Sequence, residues 1–438
     1  MEDKKWSKDE ILECAQDLGL DPFPVDLHVV PSTVLYDVAG RSMPGRYSHW
    51  SHGKQFYDGI TRHDYKFGRV YELIINSNPC QAFLLDINSE IINIMVTAHV
   101  YGHSDYFKNN IAFQETDRDM HINAVKRAER IRRYEEEYGE DEVRQVLDSA
   151  LTVEFYVDRY GYDGKIENQK GERGCKRDKG KNEYSDILSL GKKERPKEVD
   201  YLELQRFAGL PCDDILAFLI TKAPIEDWKK DILSIVRQDG LYFWPQIKTK
   251  ISNEGFSVWT HQKIMQKLDI SGGEFIEYAQ VNAGVSSAHE HYINPYWLGL
   301  QIFKNIEKRF GIERVFEVRR IEIDTSFLRN YLTKDLIEDL NLVRYKLDGD
   351  YYKVKTTEWE AIRNGLINDM TSRFPAIRII NTNHDKGGLL LEHIHDGRDL
   401  RKHSAIKVLK HLEELWGDKA YLKTIYNKKE IIWGSNEK

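Results

Sequence analysis

The stretch SEIINIMVTAHVYGHSDY, residues 89–106, is apolar over most of its length and carries two histidines four residues apart, His99 and His103. It is too long for a strand and lacks period-two alternation, so it reads as a helix. Helix geometry turns His99 and His103 onto one face. A fold built round this segment needs further helices to cover it.

Four downstream segments supply them: PCDDILAFLITKAP, IEDWKKDILSIVRQDGLYFWP, TKISNEGFSVWTHQKIMQKL and NPYWLGLQIFKNIEKRFG, each longer than a strand and bounded by Pro or Gly. Upstream, Ile11, Leu12, Ala15 and Leu18 recur at helical spacing before Gly19 and Pro22. Residues 119–151 form the clearest long helical region, its charge run a solvated face. GRVYELIINSN alternates as a strand does, whereas residues 25–66, including SMPGRYSHWSHGKQFYDG, show no period and read as a long ordered irregular segment. Residues 164–198 are polar, Gly/Lys-rich and almost free of large aliphatics, the pattern of a mobile insertion.

The character changes near residue 330. DLNLVRYKLDGDYYKVKTT reads as a hairpin around Asp348-Gly349, RIINTNHDKGGLLLEHIHDGRDL as a second across 385–388, and a helix over 403–415 precedes the short strands YLKTIY and KEIIW. The expected class is α+β: a predominantly α-helical N-terminal domain over 1–329 with a small sheet, and a small α+β domain over 330–438.

Among the 438 residues, 64 Lys+Arg stand against 71 Asp+Glu, a formal net charge of −7, so no general basic field exists to hold a polyanion and nucleic acid is not an expected partner. Hydrophobic residues make up 41% and charged ones 31%, with 24 Tyr, 17 Phe and 9 Trp as packing material, which excludes disorder of the whole chain. No run reaches the roughly 18 apolar residues of a membrane span. The charged start MEDKKWSKDEILE lacks the apolar h-region of a signal peptide, so a cytoplasmic location is expected. Cys14, Cys80, Cys175 and Cys212 show no C-x-x-C spacing, which points to free thiols rather than a disulfide framework or a thiolate zinc site. The phosphate-cradling and nucleophile-elbow motifs are also missing from the sequence, which withdraws support from ordinary nucleotide binding and serine hydrolysis.

What remains is the histidine pair. Zinc peptidases write this spacing H-E-x-x-H, the glutamate acting as general base, and here Val100 occupies the base position. An isolated H-x-x-x-H more often marks two structural histidines. Asn253-Glu254-Gly255-Phe256-Ser257, on another predicted helix, fits the N-E-x-x-[SA] pattern from which one zinc-peptidase group draws its third ligand. His99, His103 and Glu254 would then form an open three-ligand site for a divalent metal, zinc first, with iron or manganese also suited to imidazole and carboxylate. His261 lies seven residues past Glu254, two turns along the same face, as a fourth ligand, a partner of a ligand, a proton donor or a hydrogen-bonded core histidine. Glu254 and His261 are the catalytic candidates. Arg46, His49, Trp50 and His52 suggest a substrate-recognition loop or lid, or else a loop anchored by a buried Trp50, and Tyr101 is a further substrate-contact candidate. The pairs His289/His291 and His393/His395 read as a structural turn and as one face of a strand.

Longer strings go further than any of these motifs. PGRYSHWSHGK, YELIINSNPCQAFLLDIN, AHVYGHSDYFKNN, WKKDILSIVRQDGLYFWPQIKTKISNEGFSVWTHQKIM and INPYWLGLQIF resemble the stage V sporulation protein R family, and GGLLLEHIHDGRDL with ELWG is similar to its C-terminal domain. The resemblance implies a role in forming the spore cortex, a modified peptidoglycan, from the cytoplasm during sporulation. It departs from the family pattern at Gln238-Asp239, where a glutamate pair is more common, and at Asn282, where a histidine is often found. Three functional expectations stand. One is a zincin-like, metal-dependent hydrolase of amide bonds in cortex peptide or its precursor. Another is a non-catalytic scaffold that recruits cortex-assembly proteins. The third is redox chemistry at a His/Glu iron or manganese site.

Overall fold

The computed structural model describes residues 7–64, 72–157, 209–288, 293–348, 351–371 and 374–437. The expected 164–198 insertion, the expected turn at His289-Glu290-His291 and Gly349, expected in the first hairpin's turn, lie outside them. Among the described residues the chain is mixed α+β, with 16 helices and small sheets.

In chain order the elements begin α1 Lys8–Leu18, β1 Val25–Val30, α2 Ser32–Arg41, α3 Trp50–Asp64, β2 Glu72–Ile75, β3 Cys80–Leu85, α4 Glu90–Asn109, α5 Met120–Tyr138 and α6 Glu140–Leu151. After the insertion come α7 Ile215–Lys222, α8 Asp227–Lys248, α9 Lys250–Met265, α10 Gly272–Val285, α11 Pro295–Phe310, α12 Ile312–Ile321, α13 Asp324–Tyr331 and α14 Lys334–Asp339. The chain ends β4 Arg344–Asp348, β5 Tyr351–Thr356, α15 Trp359–Thr371, β6 Ile377–His384, β7 Gly388–His393, α16 Lys402–Trp416, β8 Ala420–Tyr426 and β9 Lys429–Gly434. Two compact units result, Met1–Arg133 with Tyr242–Arg373, and Tyr134–Leu241 with Phe374–Lys438.

The first unit is organised by α4. Every residue from Ile94 to Phe107 is buried, so other elements cover this helix on every side. Helix α9 lies against it and α11 against α9, and both contacts are made by glycine. A Cβ on Gly102 would stand 2.8 Å from the Cα of Ser257, and one on Gly255 would collide with the backbone of Gly299. Hydrogen atoms at these two positions let the helix backbones touch, which brings His103 on α4 level with Asn253 and Glu254 on α9. The N-terminus of α9 is capped from outside: Asp324 accepts from the amides of Ile251 and Ser252, both at 2.8 Å, and from Ser252 Oγ at 2.7 Å. The C-terminal end of α4 is tied to the chain near α12 by a buried Asp105–Arg319 ion pair at 3.0 Å and by Asn110 donating to the carbonyls of Arg319 and Glu322. Below the helices is a three-stranded sheet of order β1-β3-β2, β1 parallel and β2 antiparallel to the central strand.

Three sequence expectations are corrected here. The described part of that segment, residues 25–64, is not irregular, since β1, α2 and the whole of α3 lie within it. Helices α2 and α3 hold each other through Gly40, where a Cβ would sit 3.0 Å from His52 O, and through Gly59 against the Tyr36 ring; glycine, histidine and tyrosine blur the helical period that tertiary packing then imposes. Nor is Trp50 the buried anchor of a loop, for it opens α3 with 60% of its surface exposed. Pro245, read as a boundary, lies inside α8.

The second unit contains a four-stranded sheet of order β6-β7-β8-β9, in which only β7 and β8 are parallel, with α16 between them in sequence. The β6–β7 hairpin turns where expected, through positive-φ residues Asp385, Lys386 and Gly387, and β8 and β9 form a further hairpin through Asn427 and Lys428. Helix α16 buries Ile406, Leu409, Leu412 and Leu415 along one stripe.

Candidate metal centre

Helices α4 and α9 bring His99, His103 and Glu254 together so that one ligand atom from each lies within 4.8 Å of the others. Glu254 Oε2 is 3.3 Å from His103 Nε2 and 3.8 Å from His99 Nε2. His103 is oriented by its other nitrogen, whose N–H donates to Asn253 Oδ1 at 3.0 Å, so the residue next to Glu254 aims its partner. His99 Nε2 and Glu254 Oε2 are both buried and have no hydrogen-bond partner among the described residues. Leaving such atoms unsatisfied is costly unless something else meets them.

The charge balance is set by burial and by neighbours. Burial alone would lift Glu254, but Lys250, 3.2 Å from Oε1, and His103 hold its carboxylate well below the usual range. Burial alone would depress His103, and the neighbouring carboxylate of Glu254, with Asn253 and Glu72, outweighs it and raises the imidazole. His261 is brought in from the side: its Nδ1 is 3.0 Å from His99 Nδ1 and its Nε2 2.9 Å from Asn282 Oδ1. Burial and the neighbouring His99 push it down to about 3, so it is neutral.

A second carboxylate joins the site that the sequence reading does not include. Glu72, on β2, places Oε1 3.8 Å from His99 Nε2, and burial raises its pKa. Its only signal in the sequence is a lone acid in the apolar run YELII, and nothing in that run shows that β2 passes beside α4. Tyr296, from the INPYWLG string, completes the wall, its ring 6.3 Å from that of His99; burial and the charges of Glu254 and Glu72 raise its phenol well above the usual range.

The remaining candidates sit elsewhere on their elements. Tyr101 follows His99 by two residues, roughly 200° round the helix, and its buried hydroxyl donates to Lys8 O at 3.3 Å. Arg46 is buried over the rings of Tyr47 and Phe243, both 5.3 Å away. His49 packs on Trp50 and His52, and His52 Nδ1 bonds Tyr47 O at 3.2 Å. Burial, then Arg46 and His49, pull His52 down to about 4.

An α+β protein whose helical unit buries two histidines and a glutamate from adjoining helices, with a second carboxylate beside them, is the class that this fold and site define. The chain belongs to the SpoVR family: residues 3–374 match the SpoVR like protein and residues 375–427 the SpoVR-like C-terminal domain. It is 30% identical to the uncharacterized protein YcgB of Escherichia coli (strain K12), over 93% of this chain and 89% of that protein. No solved structure matches it. Among the described residues no helix is long and apolar enough to cross a membrane.

Proposed function

We propose that His99, His103 and Glu254 hold a divalent cation, zinc by preference, with iron or manganese admitted by the same donors, and that the protein is a zincin-like hydrolase of an amide bond. Family membership suggests a sporulation-related role, and the substrate class that fits it is peptide of the spore cortex or its precursor. The observation that carries the reading is the pair of orphaned atoms, His99 Nε2 and Glu254 Oε2, buried 3.8 Å apart beside His103 Nε2. A cation held by two imidazoles and one carboxylate supplies Lewis-acid polarisation and activation of water.

The chain's own groups account for the rest. Val100 cannot act as the base, and Glu72 takes that part: its carboxylate is partly buried, borders His99, and accepts the proton that the hydrolytic water gives up at Oε1. Tyr296 keeps its proton and has one to donate toward an oxygen that gains charge. His261, neutral, orients His99 rather than exchanging protons with substrate. Loss of a positioned base typically forfeits about 10²–10⁴-fold in rate. Metal-loaded protein incubated with cortex peptidoglycan or its precursor should release a new amine, and Glu72→Gln should lower that rate by such a factor with metal content unchanged. Absence of release by the loaded wild type, or equal rates in the variant, would overturn the hydrolase reading.

The scaffold reading is supported by α3, which leaves Trp50 60% and Tyr57 71% exposed, aromatic surface suited to a cortex-assembly partner.

A further inference from the structure

Helix α10 carries one polar residue that reaches the centre through an intermediary. Asn282 Oδ1 lies 2.9 Å from His261 Nε2, and the side-chain amide of Gln262 donates to the same oxygen at 3.1 Å. An oxygen facing His261 Nε2 can only accept, so that nitrogen carries the proton. A neutral imidazole holds a single N–H, which leaves His261 Nδ1 bare. His99 Nδ1, 3.0 Å from it, must then be the donor, and the proton of His99 is committed on that side.

The consequence falls on the opposite nitrogen. His99 Nε2 presents a lone pair toward Glu254 Oε2 and Glu72 Oε1, each 3.8 Å away. Were the proton on Nε2, His99 could donate to either carboxylate and the cluster would be satisfied without any ion. With the proton on Nδ1, His99 Nε2 joins the oxygens of Glu254 and Glu72 as an acceptor facing a buried space, an arrangement that a cation held by His99, His103 and Glu254 stabilises.

We propose that Asn282, acting through His261, is a positioning residue that sets the tautomer of His99 and thereby the metal affinity of the site. The proposal rests on the metal reading above and assigns the control of that site to a residue on a third helix. Asn282 is half-buried on a helix that packs mainly through Tyr278, so its replacement leaves the fold in place.

The test uses full-length protein with ¹⁵N-labelled histidine. Long-range ¹H–¹⁵N correlation reads the tautomer of His99 in metal-free protein, and competition with a chelator reads Zn²⁺ affinity. In wild type His99 should be protonated at Nδ1. Asn282→Leu should move the proton to Nε2 in a substantial fraction and weaken Zn²⁺ binding by about 10–100-fold, the usual cost of losing such a partner. Asn282→Asp, which keeps an acceptor, should restore both. An Asn282→Leu protein with unchanged tautomer and unchanged affinity would overturn the relay. A wild type that shows the Nδ1 tautomer yet takes up no Zn²⁺ would uphold the relay and overturn the metal reading, so the two failures are distinct.

Discussion

Asp324 illustrates how single side chains hold the site from a distance. Its carboxylate receives three hydrogen bonds from the first turn of α9, yet full burial pushes it up to about 7, against the pull of those bonds and of Lys250. The folded state therefore keeps a proton that the unfolded chain has already lost above the ordinary carboxyl range, near about 4. By linkage, stability from this group is greatest below that range and falls as pH rises toward about 7, with a slope of up to about 1.4 kcal/mol per pH unit. Chemical denaturation across that window should show a shallower fall for Asp324→Asn than for wild type; parallel curves would contradict the assignment. Tyr101→Phe removes one hydroxyl bond to Lys8 O and should cost about 1 kcal/mol with metal uptake unaltered; a loss of metal would place Tyr101 in the site. At this scale the i, i+4 histidines and the helical spacing of Glu254 and His261 were legible, because both lie within one element. Glu72 and Asn282 were not, since their closeness to His99 is made by a strand and a helix packing from elsewhere in the chain.

The elements depend on contacts too close for side chains. Gly102 faces Ser257 and Gly255 faces Gly299, so the distance from His103 to Glu254 is fixed by backbones in contact. Gly102→Ala should force α4 from α9, cost about 1–3 kcal/mol as overpacking does, and lower metal affinity along with the melting temperature. Unchanged affinity in a destabilised variant would mean that the ligands follow the helices independently. Helices α4, α9 and α11 were readable from length and apolar content. Helices α2 and α3 were not, because WSHGKQFYDG offers little periodicity and their pairing is stabilised through Gly40 and Gly59.

Across the whole molecule, the β6–β7 hairpin and α16 of the second unit were legible from local turn chemistry, and the family resemblance from long ordered strings that the matches over residues 3–374 and 375–427 now bear out. Each compact unit joins two separated stretches of chain, a pairing that local periodicity does not encode. The central claim is that α4 and α9 bury donors for one cation. Its most direct measurement is elemental analysis of purified full-length protein dialysed without chelator, wild type beside a His99→Ala/His103→Ala double variant. The account predicts near-stoichiometric divalent metal in the wild type and its disappearance in the variant, and equal metal content in the two, or none in either, would contradict it.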